Sequence, residues 1–191
     1  MIIKDNRKSQ SERILLAASE CIAAKGYANV SMRDIAEEAG VVLSQLNYYF
    51  KNKEGLFKEV VKMMMDKYLY EIEESLKAEE SPKERAKSLI MYFREMLKYN
   101  PKLFRLLYDF TGLALWSPVF GNMLKDLFKE LSGMIEKYIL SNLQLKELKG
   151  LSTKALSRII LGSMFGTGVQ VLIDQDEELP EAFNAMQMLF E

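Results

Sequence analysis

The sequence contains no histidine and a single cysteine, Cys21, among 191 residues. One cysteine excludes an intrachain disulfide, and the lack of histidine excludes a zinc site built from Cys and His ligands. Catalysis that depends on a histidine base is excluded for the same reason. We therefore predict no metal and no cofactor, and we interpret Cys21, which falls in an apolar helical stripe, as a buried structural thiol.

Proline and glycine are also scarce, at four and ten residues, and the prolines fall at the joints between helical segments. No alternating strand pattern bounded by turn residues occurs, which predicts an all-α fold of about nine helices. We find no apolar stretch near the ~18 residues that a membrane span needs, and the polar start has no signal-peptide core. The sequence predicts a soluble, cytoplasmic protein without a membrane partner.

The chain also lacks an excess of charge of either sign, because it has 26 basic and 27 acidic residues and a net charge of -1. Such a chain has no global basic signal for nucleic acid, so any DNA contact must come from a local patch. Residues 41–53 include Lys51 and Lys53 but no acid. A second cluster precedes the first helix and consists of Lys4, Arg7 and Lys8.

Apolar residues recur at helical spacing through most of the chain, and cap residues mark several helix starts. Three of these starts place a cap residue directly before a proline, at Ser81-Pro82, Asn100-Pro101 and Ser117-Pro118. The predicted helices cover residues 9–25, 31–38, 43–49, 53–78, 82–99, 101–114, 118–141, 152–174 and 180–191.

Residues 31–50 have the features of a helix-turn-helix, in which two short helices cross closely at a turn. Small residues permit the crossing at Ala36, Ala39 and Gly40, and the core beneath can be filled by Ile35, Val41, Leu46 and Phe50. The second helix then presents Ser44, Gln45, Asn47, Tyr48 and Tyr49. Gln and Asn can pair with an adenine edge, and hydroxyls can reach phosphates. Spacing alone also fits an amphipathic hairpin with a solvated polar face.

A family resemblance rests on Ser31-Met32-Arg33-Asp34-Ile35-Ala36-Glu37-Glu38-Ala39-Gly40-Val41, on Leu46, and on Tyr48-Tyr49-Phe50-Lys51-Asn52-Lys53-Glu54-Gly55-Leu56-Phe57. In these stretches the chain resembles the TetR family of bacterial regulators. That pattern has Ile-Ala-x-x-Ala-Gly-Val, a short recognition helix, and an aromatic pair ending in Phe before Lys-x-Lys-x-x-Leu. The motif covers roughly residues 10–60. The chain departs from the common Ser, Gly and Tyr of the family at Val42, Ser44 and Asn47.

The resemblance implies a DNA-binding domain over residues 1–52 and a helical ligand-binding and dimerisation domain over residues 53–191. Residues 43–49 would be the recognition helix in the major groove. The phosphate contacts that the family pattern implies fall on Ser31, Arg33, Tyr49 and Lys53. The helices at 152–174 and 180–191 would pair with their copies in a homodimer.

The C-terminal body carries many Met and aromatic residues on helices that we expect to converge. Each is compatible with ordinary core, and together they fit an adaptable apolar pocket. The resemblance implies such a pocket for an apolar or amphipathic small molecule. The candidate lining residues are Met91, Met96, Phe104, Leu107, Tyr108, Trp116, Phe120, Met123 and Phe165.

Three glycines, Gly162, Gly166 and Gly168, interrupt the predicted helix 152–174. Each costs about 0.5–1 kcal/mol relative to alanine in a helix, so we expect close helix–helix approach to compensate. Gly162 and Gly166 share one face. Contact with a second copy and tight packing within one chain both explain the pattern.

These observations predict a ligand-responsive DNA-binding regulator, a repressor released from its operator by a small molecule. The main alternative is a helical small-molecule-binding protein that has lost specific DNA binding. An enzyme is disfavoured because the sequence has no histidine, no metal cluster and no obvious nucleophile.

Overall fold

The computed structural model describes residues 9–142, 152–174 and 181–187. Within these ranges the α-helices are α1 (Gln10–Lys25), α2 (Met32–Glu38), α3 (Leu43–Tyr49), α4 (Lys53–Ala78), α5 (Pro82–Tyr99), α6 (Pro101–Ala114), α7 (Pro118–Met134), α8 (Thr153–Ile173) and α9 (Glu181–Gln187). The predicted all-α class is confirmed. The basic cluster Lys4, Arg7 and Lys8, and residues 188–191 of the predicted last helix, lie outside the described residues.

The one clear difference from the predicted helix bounds concerns residues 118–141. Here α7 ends at Met134 and continues as a π-helical segment, Ile135–Ile139, and a 3-10 turn, Leu140–Asn142. Leu131, Ile135 and Ile139 are spaced four apart and all are buried. Residues four apart lie on one face of a helix, so the buried stripe of α7 continues into the π segment.

The chain divides into two compact units, Met1–Met64 and Met65–Glu191. The first unit contains α1, α2, α3 and the first half of α4, and the second contains the remainder. Our predicted functional boundary, after residue 52, falls at the first residue of α4. That helix runs without interruption from Lys53 to Ala78 and so belongs to both units.

The first unit has an apolar core to which α1, α2 and α3 contribute. Of the residues predicted to fill it, Ile35, Leu46 and Phe50 are buried, whereas Val41 is half-buried. Arg13 Nη2 donates a hydrogen bond to the Ala39 carbonyl at 3.0 Å and so ties α1 to the turn after α2. Gly40 in that turn has a φ of +64°, a left-handed conformation that side chains disfavour. Cys21 is buried as predicted, and burial raises the pKa of its thiol.

In the second unit, polar bonds hold the second half of α4. The Tyr92 hydroxyl of α5 donates to Glu71 at 2.8 Å, and the Ser75 and Ser88 hydroxyls lie 2.7 Å apart. From the π segment, the Tyr138 hydroxyl donates to a Glu73 carboxylate oxygen. These bonds connect α4 with α5 and the π segment, alongside the buried side chains of Ile72 and Leu76 on α4.

Helix α8 contradicts our expectation that no stretch is long and apolar enough for a membrane span. The 21 residues of Thr153–Ile173 are long and apolar enough by length and composition. The interspersed Gly, Ser and Thr made the segment look shorter than it is. One such helix is weak evidence for a span, and only 22% of its apolar window is buried. The exposed residues include Ile159, at 59%, and Ile173, at 78%.

The glycines of α8 have two different surroundings. A Cβ at Gly168 would lie 2.9 Å from the Tyr108 hydroxyl oxygen, whereas a Cβ at Gly162 or Gly166 meets nothing within 4 Å. The Tyr108 hydroxyl donates to the Phe165 carbonyl at 2.6 Å, and burial raises the pKa of Tyr108 to about 12. Among the described residues, close packing therefore accounts for Gly168 and not for Gly162 or Gly166.

We expect Gly168→Ala to destabilise the protein by about 1 kcal/mol, because the added methyl displaces the Tyr108 hydroxyl from its hydrogen bond. Gly133→Ala, a helical control whose Cβ meets nothing within 4 Å, should instead stabilise by about 0.5–1 kcal/mol. In a Tyr108→Phe background Gly168→Ala should become stabilising, since the clashing oxygen is gone. Urea unfolding of all variants tests this. Equal effects of Gly168→Ala in both backgrounds would contradict it.

Candidate nucleic-acid interface and effector pocket

The polar face of α3 points outward. Leu46 is fully buried, and the flanking Ser44, Gln45, Asn47, Tyr48 and Tyr49 are all exposed. The exposure agrees with the sequence interpretation. Contact of these side chains with DNA stays a prediction.

Helix α3 begins at Leu43, and its first turn is capped in an unusual way. The preceding Val42 has no polar side chain to accept from the helix N–H groups. Instead, Gln45 reaches back, and its Oε1 accepts a hydrogen bond from the Val42 N–H at 3.3 Å. Gln45 thus supplies one half of a capping box, and the Gln45 and Leu46 N–H groups donate to the Val42 carbonyl.

Two residues predicted to contact phosphate are already hydrogen-bonded. The Ser31 hydroxyl donates to Asp34 Oδ2 at 2.6 Å and accepts from the Asp34 N–H at 3.2 Å, forming a capping box at the start of α2. These bonds lower the pKa of Asp34. The Tyr49 hydroxyl donates to Gln10 Oε1 at 3.2 Å. The contact of Gln10 with Tyr49 was not predicted, because no local pattern relates residues 39 apart. Arg33 is exposed.

Lys53, the first residue of α4, lies over an aromatic ring. Its Nζ is 4.3 Å from the ring centroid of Tyr27, and the Tyr27 ring stacks in turn 4.7 Å from that of Phe57. Partial burial lowers the pKa of Lys53. The ring restricts where the ammonium can go and so fixes a positive charge at the start of α4. Tyr27 was not predicted, although its position directly after the Gly26 helix end was visible in the sequence.

In the second unit, some of the predicted effector residues form aromatic pairs. The Phe104 ring packs edge-on against Phe93, and Phe120 packs against Phe110, both at 6.1 Å between centroids. Phe165 of α8 contacts two rings, those of Tyr108 at 5.7 Å and Phe128 at 5.3 Å. Met96, Leu107 and Met123 are half-buried.

The structure does not bring two of the predicted residues into this cluster. Trp116 follows the last turn of α6 and is 88% exposed, because no helix face directs it inward. Met91 is 38% exposed and borders a groove of about 530 Å³ that is lined by α4 and α5 residues. Neither side chain therefore converges with the others.

A further pocket of about 430 Å³ combines apolar and charged walls. Its lining residues are Arg94, Glu95, Leu97, Lys98, Val171, Glu181 and Phe183. Arg94 Nη1 donates to Asn184 Oδ1 at 2.8 Å, and its Nη2 lies 3.3 Å from Glu95. None of the nine predicted effector residues lines this pocket.

Comparisons with known proteins agree on one family. The family model described as bacterial regulatory proteins, tetR family, matches residues 14–60. The fatty acid metabolism regulator protein of Bacillus subtilis is 28% identical over 178 residues, which cover 91% of this chain and 90% of that protein. A solved structure titled as the transcriptional regulator FadR from Bacillus subtilis in complex with stearoyl-CoA is 25% identical. It has a TM-score of 0.77 and covers 94% of this chain and 96% of its own.

A TetR transcription regulator from Haloarcula marismortui shares the fold at 18% identity, with a TM-score of 0.82 and 95% of both chains covered. The family match includes the helix-turn-helix itself, so a ligand-binding protein that has lost DNA binding is not favoured. Regulators of the tetR family bind DNA operators and small-molecule effectors, and they are not enzymes. The chain therefore carries the DNA-binding domain of the tetR family of bacterial regulatory proteins and is a ligand-responsive, DNA-binding transcriptional regulator.

Proposed function

We propose that this regulator is a cytoplasmic repressor that holds its operator through the exposed face of α3. The proposal is supported by the exposed polar side chains that surround the buried Leu46 on α3. The same unit holds Lys53, whose ammonium lies over the Tyr27 ring at the start of α4. Ser44, Gln45, Asn47 and Tyr48 would meet base edges and the groove wall, because amide and hydroxyl groups suit both.

Ser31, Arg33, Tyr49 and Lys53 would contact phosphates. For Ser31 and Tyr49 such a contact competes with the bonds to Asp34 and Gln10, since each hydroxyl has one hydrogen to donate. Lys53 has no such competition in its cation–π contact, because an ammonium group carries three donors.

Lys53→Ala should weaken binding to all DNA sequences alike and reduce the slope of log affinity against log salt by about 0.9 per lost phosphate contact. Lys62→Ala, an exposed lysine farther along α4, is the matched control and should leave the slope unchanged. Fluorescence anisotropy with a labelled operator at several salt concentrations measures both. An unchanged slope for Lys53→Ala would remove Lys53 from the interface.

The effector we propose is a long-chain acyl-CoA. The support comes from a relative of the same fold that was solved with stearoyl-CoA, and from the Met and aromatic side chains of the second unit. The acyl chain would contact Met96, Phe104, Leu107, Tyr108, Phe120, Met123 and Phe165. Met91 and Trp116 are too exposed to line an enclosed apolar site.

Release from DNA would follow a shift of α4. An acyl chain between the helices of the second unit would exchange contacts with α5 and the π segment, whose Tyr92 and Tyr138 hydroxyls hold α4. A ligand shifts this equilibrium only by its different affinities for the two states. The two recognition helices of a dimer would then no longer match half-sites about 34–36 Å apart.

Stearoyl-CoA should release the labelled operator at lower concentrations than free CoA or stearate. Only the thioester carries both the apolar acyl chain and the polar CoA group. Met123→Trp fills space beside the buried stripe of α7 and should raise the required concentration about tenfold, while DNA binding without ligand stays unchanged. Trp116→Ala, at an exposed site, is the control and should behave like wild type. Operator affinity that is insensitive to saturating stearoyl-CoA would refute this effector class.

The homodimer we propose forms through α8 and α9, within the predicted segments 152–174 and 180–191. Ile159, Gly162, Gly166 and Ile173 follow helical spacing along one face of α8, and both isoleucines are largely exposed. Glycines with open space above them permit another helix to approach closely. An exposed apolar face of this kind is typical of a surface that a partner covers.

Ile159→Glu should convert the dimer to a monomer in analytical ultracentrifugation, because a carboxylate would be buried without a partner charge. Leu115→Glu, at an apolar residue with 75% exposure outside α8 and α9, is the matched control and should remain dimeric. Operator affinity should fall together with dimerisation. A wild-type monomer at micromolar concentration would contradict this interface.

A further inference from the structure

The side chain of Gln45 has a task within α3 that constrains what it can offer to DNA. Its Oε1 accepts from the Val42 N–H at 3.3 Å, and the backbone N–H groups of Gln45 and Leu46 both point to the Val42 carbonyl. Val42 itself offers no side-chain cap. The amide oxygen of Gln45 therefore supplies one half of a capping box, the bond to the Val42 N–H, while Val42 has no side chain to supply the other half.

This bond fixes which way the amide faces. A backbone N–H can only donate, so the atom of Gln45 beside it must be the oxygen and not the nitrogen. The Nε2 amino group then lies on the other side of Cδ from the Val42 N–H. Gln45 is exposed, and no hydrogen bond of Nε2 is found within residues 9–142, 152–174 and 181–187.

Adenine and guanine share the N7 acceptor and differ at position 6, where adenine carries the N6 amino donor and guanine the O6 acceptor. Bidentate pairing with adenine therefore needs both ends of a glutamine amide. To pair in this way, the Gln45 oxygen would have to accept from N6 with its second lone pair while the first stays on the Val42 N–H, or give that bond up. Guanine presents two acceptors, O6 and N7, in the major groove. An amide that offers only its nitrogen matches guanine without giving up the cap.

We propose that Gln45 reads DNA through its Nε2 donor alone and selects guanine over adenine at the base pair it contacts. This assignment rests on the proposed DNA-binding role of α3 and specifies the chemistry of one contact within it. The capping bond makes the specificity of Gln45 differ from the adenine pairing that its residue type alone suggests.

The test begins with selection of binding sites from randomised duplexes by the full-length protein and its variants. Gln45→Glu keeps an oxygen for the Val42 N–H but has no donor, and Gln45→Ala loses both. We expect wild type to select guanine at one position of each half-site and both variants to lose that preference. Lys62→Ala, at an exposed residue of α4 outside the proposed contacts, is the control and should keep it. The negative charge that Gln45→Glu adds should weaken binding to all DNA sequences equally, so it does not change the preference for one base over another.

Modified bases then identify the contacted atoms. At the selected position, 7-deazaguanine removes the N7 acceptor and should weaken wild-type binding about five- to tenfold, with no effect on Gln45→Glu. Thermal unfolding checks the cap, and Gln45→Ala should unfold at a lower temperature than wild type or Gln45→Glu.

Each contrary outcome has its own meaning. Selection of adenine, with affinity lost when purine lacking the N6 amino group replaces it, would overturn the donor-only contact. Unchanged preference in both Gln45 variants, or equal melting temperatures of Gln45→Ala and Gln45→Glu, would overturn it too. If wild type enriches no sequence at all, the DNA-binding role of α3 fails together with this assignment.

Discussion

The first unit depends on the burial of one side chain, Leu46, at the centre of α3. This helix has seven residues, and Leu46 is its only buried one. Its contact with the core therefore fixes the rotation of α3 about its own axis. Neighbouring helical residues lie about 100° apart, so an inward Leu46 turns Gln45 and Asn47 toward solvent. A helix this short is not stable alone in water, so the same packing also makes α3 a helix.

Helix α4 connects this constraint to the second unit. Its second half combines the buried Ile72 and Leu76 with the acceptors Glu71 and Glu73. A hydroxyl–carboxylate bond can be exchanged for one to water, whereas buried apolar contacts have no such substitute. The shift of α4 that we propose would therefore keep its apolar contacts and exchange its polar ones. Both kinds of contact, the apolar ones of Ile72 and Leu76 and the hydrogen bonds of Glu71 and Glu73, lie on this one helix.

The sequence predicted the local features of this molecule far better than the nonlocal ones. Helix starts were predicted to within one residue, because a cap such as Ser31 and its partner Asp34 are neighbours in the chain. The π segment was missed since apolar periodicity does not separate α from π turns over five residues. The cation–π contact between Lys53 and Tyr27 depends on the tertiary fold, which the spacing of apolar residues in the sequence does not reveal. Trp116 was misplaced because it continues the apolar pattern of α6 past the end of that helix.

The glycines of α8 show how two explanations that the sequence left open can both hold. Gly168 leaves room for the Tyr108 hydroxyl, so packing within the chain accounts for it. Gly162 and Gly166 have no such neighbour, yet each costs helix stability as Gly168 does. They share their face with Ile159 and Ile173, whose exposure adds a cost of hydration. Burial of this face against another surface would offset both costs at once, whereas packing inside the described part of the chain offsets neither.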